Sequence, residues 1–323
     1  MPRVVTIDGP AGAGKSTAAR LLAGRLGWRL LDTGAMYRAV TLAALRAGID
    51  LESDQALGDL AGRVEVRLPP GRVMLDGEDV SGLIRSVEVT HASRYPANSP
   101  SVRTCLVDWQ RRFAAENNVV AEGRDQGTIV FPDAPRKFFL TASPEERARR
   151  RHTEFLARGE AIDPADVLRD LIERDARDAA RAIAPMRPAA DALVIDTNGM
   201  DLNWVVNLIE RAVLDPDADA WLQGDQPAFD GRNLIPPRYF AGLWVAWNRQ
   251  KTRIIAVAAT IDAARHAASE TDEAAPNFDN TSVLATSENC TRRQKLTSAD
   301  SVASLRDQEP AVAEHKDQDD NGP

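Results

Sequence analysis

Cysteine is scarce in this chain of 323 residues: only Cys105 and Cys290 occur, far apart in sequence. That argues against a disulfide framework and suits a reducing, cytoplasmic compartment. The four histidines, His91, His152, His266 and His315, show no metal-ligand spacing. No apolar run approaches the roughly 20 residues that a membrane span needs, so no membrane association is expected. Met1-Pro2-Arg3 leads straight into an apolar β-branched run, so no signal peptide is expected either. A basic excess is also lacking. The formal net charge is −8, and an acidic chain is a poor nonspecific binder of nucleic acid. The charge is unevenly placed: residues 215–323 hold 18 acids and 11 bases, whereas residues 1–214 hold 30 and 29. A balanced front is followed by an acidic appendage, in a chain long enough for one large or two ordinary domains.

What is present is organised around Gly9-Pro10-Ala11-Gly12-Ala13-Gly14-Lys15-Ser16, the G-x-x-x-x-G-K-[ST] pattern of a phosphate-binding loop. Val4-Val5-Thr6-Ile7 before it reads as a buried strand, and Thr17 to Ala23 after it reads as a helix with Leu and Ala on one side. Strand, glycine loop and helix start are what a triphosphate cradle requires. Glycines let backbone N–H groups turn inward, and the helix N-terminus adds unpaired donors and partial positive charge. Gly9 to Thr17 are therefore the ATP-binding candidates. Lys15 is expected to reach the β- and γ-phosphates, and the Ser16 hydroxyl to ligate Mg²⁺. A glycine-rich turn that binds nothing is the alternative, and the register of two glycines, Lys and Ser between a strand and a helix speaks against it.

Further strand ends carry polar groups, the place where open α/β sheets bind ligands. Trp28 to Leu31 reads as a strand, ending in Asp32-Thr33-Gly34-Ala35-Met36-Tyr37-Arg38; Thr33 and Arg38 are candidates for contacting a second ligand. Residues 51–90 break the α/β rhythm, and Val64–Leu68 with Val73–Val80 reads as a small inserted antiparallel hairpin. Val87 to Phe113 is helical, interrupted near Pro96 and Pro100. Val119 to Glu122 reads as a third core strand and leads into Gly123-Arg124-Asp125-Gln126-Gly127-Thr128, a charged loop flanked by glycines. Lys137 to Thr141 is a fourth strand. Ser143, Pro144 and Glu146 then open a helix as a capping box. Arginines recur from Arg147 to Arg151 and at Arg169, Arg174, Arg177 and Arg181, with Asp170, Asp175 and Asp178 between them. Such a run is either a solvated, salt-bridged helix or a mobile lid that grips phosphate bidentately. Ala192 to Thr197 is a fifth core strand, and Asn203 to Leu214 a closing helix.

Residues 4–214 resemble bacterial cytidylate kinase, of the nucleoside-monophosphate kinase family. The resemblance rests on Ile7 to Thr17, Leu31 to Arg38, Leu75 to Val80, Glu122 to Ala134, and Arg174 to Arg181 leading into Ala184-Pro185. It implies an α/β P-loop kinase with a doubly wound, parallel five-stranded sheet. The core is 1–36, 117–148 and 186–214, the monophosphate-binding insert about 37–116, and the Arg-rich lid about 149–185. The implied reaction is phosphoryl transfer from MgATP to CMP or dCMP by a monomer. Ser93, Arg103 and Asp125 would read cytosine, with Thr33 beside them. Arg38, Arg124 and Arg181 would hold the monophosphate, and Asp178 with Arg174 the ribose. Lys15, Arg124, Asp125, Arg174 and Arg181 would carry the catalytic roles, while lid arginines close over the transferred group. Departures from the family pattern are Gln126 in place of an apolar residue, Met186 in place of leucine, and a Ser93-to-Arg103 spacing one residue longer than common. Other acceptors, UMP or AMP, and a non-catalytic nucleotide switch are the competing readings. Beyond this front domain, residues 215–236 read as a linker, 237–271 as a small ββα module, and 272–323 as a disordered acidic tail able to bind a protein partner.

Overall fold

Five strand-forming runs, most of them apolar and buried, become five parallel strands, in keeping with a parallel sheet covered on both faces. The computed structural model describes residues 3–215, 243–247, 254–271 and 283–285. Strand β1 (Val4–Asp8) runs into the glycine loop and helix α1 (Lys15–Leu26), and β2 (Arg29–Asp32) into α2 (Thr33–Arg46). An insert follows: α3 (Asp54–Ala61), then β3 (Val66–Arg67), β4 (Met74–Leu75) and β5 (Glu78–Asp79) as a separate antiparallel sheet. It continues as three helices, α4 (Val87–Ala92), α5 (Arg94–Asn98) and α6 (Pro100–Glu116). The chain returns through β6 (Val119–Glu122), β7 (Arg136–Thr141), α7 (Pro144–Ala157), α8 (Pro164–Ala179), β8 (Leu193–Asp196) and α9 (Leu202–Leu214). Strands β8, β7, β1, β6 and β2 lie side by side in that order, all parallel.

The insert holds three strands where the sequence suggests a hairpin. The reason is Asp76-Gly77, both at positive φ (49° and 86°), the two-residue turn that matches strand twist and lets β4 reverse directly into β5. The expected capping box on α7 is half formed. Ser143 Oγ accepts from the Glu146 amide at 3.3 Å, but the Glu146 carboxylate instead accepts from Arg149 and Arg150, each at 2.8 Å.

The sheet does not end at β8. Strand β9 (Trp244–Trp247), strand β10 (Ile254–Ala258) and helix α10 (Ile261–Ser269) take up the ββα pattern of the appendage. However, β10 pairs in parallel with β8, Ala256 opposite Val194 and Val257 opposite Ile195. Strand β9 adds antiparallel to β10, and β11 (Val283–Ala285) adds to β9. The segment read as a small ββα module therefore lengthens the core sheet to eight strands, and the stretch read as a disordered tail contains its outermost strand. Apolar residues on both faces of β10 explain the docking. Ile254 and Val257, with Leu243 and Val245, join the core made by Leu193, Ile195 and α9. Ile255 and Ala256, with Ala246, Ala267 and Ala268, cover Phe139 and Val194 on the other face. The expected linker, apart from Asp215, and most of the expected tail lie outside the described residues. Among the described residues no helix is long and apolar enough to cross a membrane.

Candidate active site

The carboxyl ends of β1, β2 and β6 lie in register, so Asp8, Asp32 and Glu122 come together at the carboxyl end of the core sheet. The glycine loop rises from the first of these. At Gly9 the chain passes so close to β7 that a Cβ would sit 2.0 Å from the Leu140 carbonyl oxygen, so no side chain fits there. Gly14, at φ +89°, turns the loop into the first residue of α1. Ala11 to Thr17 line a cleft of about 1590 Å³, whereas Gly9 and Pro10 stand behind its wall.

Lys15 is buried, and its ammonium donates to the Pro10 carbonyl at 2.6 Å. Burial, and after it the Arg124 guanidinium, pull its pKa well below the usual lysine range. Ser16 Oγ donates to Glu122 Oε1 at 3.0 Å. Burial, then Asp32 beside it, raises the Glu122 carboxyl above its ordinary range. Asp8 is raised to about 7, chiefly by burial, although the amides of Gln126 and Gly127 act in the opposite direction.

All nine residues expected to hold the acceptor line the same cleft. Arg103 reaches in from α6 and forms a buried ion pair with Asp125, and its other nitrogen donates to Tyr37 Oη at 3.3 Å. Asp178 sits between two arginines, accepting from Arg124 Nε at 3.1 Å and from Arg181 Nη2 at 2.5 Å. Arg38 lies 3.9 Å from Asp32, and its buried Nε has no hydrogen-bond partner. Burial, then Arg124, lowers Arg174 to about 10. Lys15, Arg38, Arg124 and Arg174 are thus crowded into one buried place, where burial and their mutual repulsion lower Lys15 and Arg174, the electrostatics of a site suited to receive phosphate. Two hydroxyls are already used: Thr33 donates to the Glu122 carbonyl at 2.7 Å and Ser93 to the Thr90 carbonyl at 2.7 Å.

The arginine-rich helices split by role. Arg147 donates to the carbonyls of Ala11 and Ala142, each at 2.9 Å, and pairs with Asp175 of α8. Arg150 holds the Thr197 hydroxyl at 2.9 Å and its carbonyl at 2.7 Å. These two brace the P-loop and the end of β8. Arg149, 69 % exposed in its side chain, points to solvent. Arg151 and Arg158 stack on Phe155, within 5.0 Å of the ring centre, and both line the cleft.

Sequence reasoning passed over Tyr37, Asp8 and Glu122, and took Arg147 and Asp175 only as members of the arginine-rich run, not as a pair that braces the P-loop. Tyr37 and Glu122 stand inside motifs already singled out, and Asp8 immediately precedes Gly9. The Arg147–Asp175 pair is made between two helices and has no local signature.

The cytidylate kinase family model matches residues 5–214. The chain is 51 % identical over 214 residues to the cytidylate kinase of Pelotomaculum thermopropionicum, a match covering 65 % of this chain and 95 % of that protein. It is 46 % identical over 220 residues to that of Stutzerimonas stutzeri, covering 66 % and 96 %, and 46 % identical over 214 residues to that of Pseudomonas aeruginosa, covering 64 % and 93 %. The chain belongs to the cytidylate kinase family.

Proposed function

We propose that this chain transfers the γ-phosphoryl group of ATP to CMP or dCMP, giving CDP or dCDP, and that the residues of the cleft divide the work as follows. The observation that carries the acceptor assignment is the buried Arg103–Asp125 pair facing the cleft beside Arg38, Arg124 and Arg181. An Asp125 carboxylate accepts from the exocyclic amino group of cytosine, where uracil presents a carbonyl that it repels. Arg103, itself held by the Tyr37 hydroxyl, keeps that carboxylate in place. Arg38, with a buried nitrogen still to be satisfied, takes the monophosphate with Arg124 and Arg181, and Asp178 with Arg174 takes the ribose. Thr33 and Ser93 contact the nucleotide once their hydroxyls rotate from the carbonyls they now hold.

On the donor side the P-loop amides and Lys15 cradle the triphosphate. A bound phosphate supplies the counter-charge that favours the protonated form of Lys15. The donor set suits Mg²⁺: this ion keeps several waters and binds through one or two oxygens besides phosphate. Among the described residues no cluster of three His, Cys, Asp or Glu side chains forms a protein cage, while Ser16 Oγ and Glu122 Oε1 stand together at 3.0 Å. Ser16 would hold the ion, with Glu122 next to it, and the ion's charge would offset that of the β- and γ-oxygens. Catalysis is positioning and charge stabilisation by Lys15, Arg124, Arg174 and Arg181, without a covalent intermediate.

The test is ADP release from ATP with CMP, dCMP, UMP or AMP as acceptor. CMP-dependent turnover that Asp125→Ala abolishes, with ATP binding retained, is expected. Unchanged CMP turnover in that variant sinks the base-reading role, and no acceptor-dependent turnover in the native chain favours a nucleotide-dependent switch.

A further inference from the structure

Asp125 works only if its loop is held: Arg111 holds the far end through the carbonyls of Ile129 and Val130, each at 2.9 Å, which leaves the end next to Asp125 to be fixed. Asp125 lies at φ −143°, ψ 19°, outside regular structure, and residues 126–130 follow as a single wide turn. The turn closes on Asp125 itself, whose carbonyl accepts from the amides of Ile129 at 2.9 Å and Val130 at 3.3 Å. Its first two amides, Gln126 and Gly127, have no backbone carbonyl to meet. Both donate to one side chain: Gln126 N to Asp8 Oδ1 at 3.0 Å and Gly127 N to Asp8 Oδ2 at 2.7 Å. Asp8 is 4 % exposed and ends β1, with the P-loop beginning at the next residue.

We infer that Asp8 is a positioning residue for acceptor selection: its two carboxylate oxygens clamp the amides that follow Asp125 and so aim the base-reading carboxylate at Arg103 and the cleft. Two acceptors on one planar group fix both the position and the orientation of the peptide units they hold. A loop tied at one point can pivot; a loop tied at two cannot. Asp8 thereby joins the strand that carries the triphosphate cradle to the loop that reads the acceptor base. Gln126 has room for this arrangement because its buried side chain turns back toward Gly123, leaving its amide free to face Asp8.

Asp8→Asn preserves the shape but offers one acceptor, and its amide nitrogen opposes one of the two N–H groups. A residue that merely supports the fold would lower stability without altering which base is chosen. The expected result is a fall of about tenfold in the ratio of kcat/KM for CMP over UMP. It should arise from a higher KM for CMP, with KM for ATP changed by less than about threefold. The inference rests on Asp125 as the base reader, so Asp125→Asn and the double variant are measured alongside on the full chain. If Asp8 acts through Asp125, the double variant is no less selective than Asp125→Asn alone. Loss of selectivity in Asp125→Asn with native selectivity in Asp8→Asn overturns the inference and leaves the base reading intact. Native selectivity in Asp125→Asn overturns the base reading itself. A rise in KM for ATP with KM for CMP unchanged also overturns the inference, because Asp8 would then act on the P-loop and Lys15. Asp8→Ala, which leaves both amides without an acceptor, should be less selective than Asp8→Asn; the reverse order counts against the clamp.

Discussion

Ile255→Ala tests whether the strands beyond the family match are part of the kinase. Ile255 is fully buried in the middle of β10, and its cluster includes Phe139 of β7 and Val194 of β8 from the kinase sheet, together with Ala246, Ala267 and Ala268. Removing three carbons from such a site costs about 2–5 kcal/mol, set by how far the neighbours collapse into the space. Small alanines on one side can close little of it, so a value of about 3 kcal/mol is expected. If β10 and the five core strands melt as one unit, a body of this size loses about 2–4 °C per kcal/mol, hence roughly 6–12 °C. The assay is the temperature of half-inactivation of CMP-dependent ADP formation, which reports on the kinase site alone. Hydrogen exchange at the amides of Leu193–Asp196 runs beside it, since β8 faces β10 along its outer edge. An unchanged inactivation midpoint, with β8 amides exchanging as fast as those of an open edge, would refute the reasoning.

Other expectations follow from the same geometry. Asp125→Ala and Arg103→Ala each leave one partner of a buried ion pair alone, so each should cost about 3–5 kcal/mol in denaturant unfolding. The double variant should cost less than their sum, and strict additivity would mean that the pair is not formed in solution. Gly9→Ala places a Cβ against the Leu140 carbonyl and should prevent stable folding, whereas Gly14→Ala meets open space and bears only the strain of a positive φ, about 1–2 kcal/mol; equal melting temperatures would contradict this. Burial raises the Asp8 carboxyl from the ordinary aspartate value of 3.8 to about 7 in the folded chain, so the folded state holds the extra proton between those values. That contribution is fully present below the lower value and is lost as pH rises through the upper one, at most roughly 4 kcal/mol. Urea midpoints of the ligand-free chain should therefore fall from pH 5 to 7.5, and less steeply in Asp8→Asn; parallel slopes would remove Asp8 as the cause.

What could be read from the sequence was what is local. Val4–Asp8, Val119–Glu122 and Leu193–Asp196 are continuous apolar runs because both faces of a parallel sheet are covered, and they stand out for that reason. The glycine loop is legible because its geometry is imposed residue by residue. The third strand of the insert was missed because β4 and β5 are two residues each, too short for alternation to show, although Asp76-Gly77 was a usable turn signal. Strands β9 and β10 were legible as strands, but not their destination: nothing between Leu243 and Ala258 names β8 as a partner. The site followed the same rule. Arg38, Arg124 and Asp125 carry motif or strand-end signals, whereas Arg103, on a helix, was pointed to only by the family resemblance. Asp8, Arg147 and Asp175 act by reaching backbone groups or partners in distant elements, and that is written only in three dimensions.

The parallel pairing of β10 with β8 also has a consequence in time. Residues 197–253, 57 in all, separate Asp196 from Ile254, so β8 leaves the ribosome well before its outer neighbour exists. At about 5–20 residues per second, that interval is roughly 3–11 s. During it the nascent kinase presents an apolar strand with an unpaired ladder, the kind of edge that recruits strands from other chains. This protein therefore spends several seconds of its own synthesis with an open flank, and slow translation or a chaperone that shields an extended edge would bear on its yield more than on its finished stability.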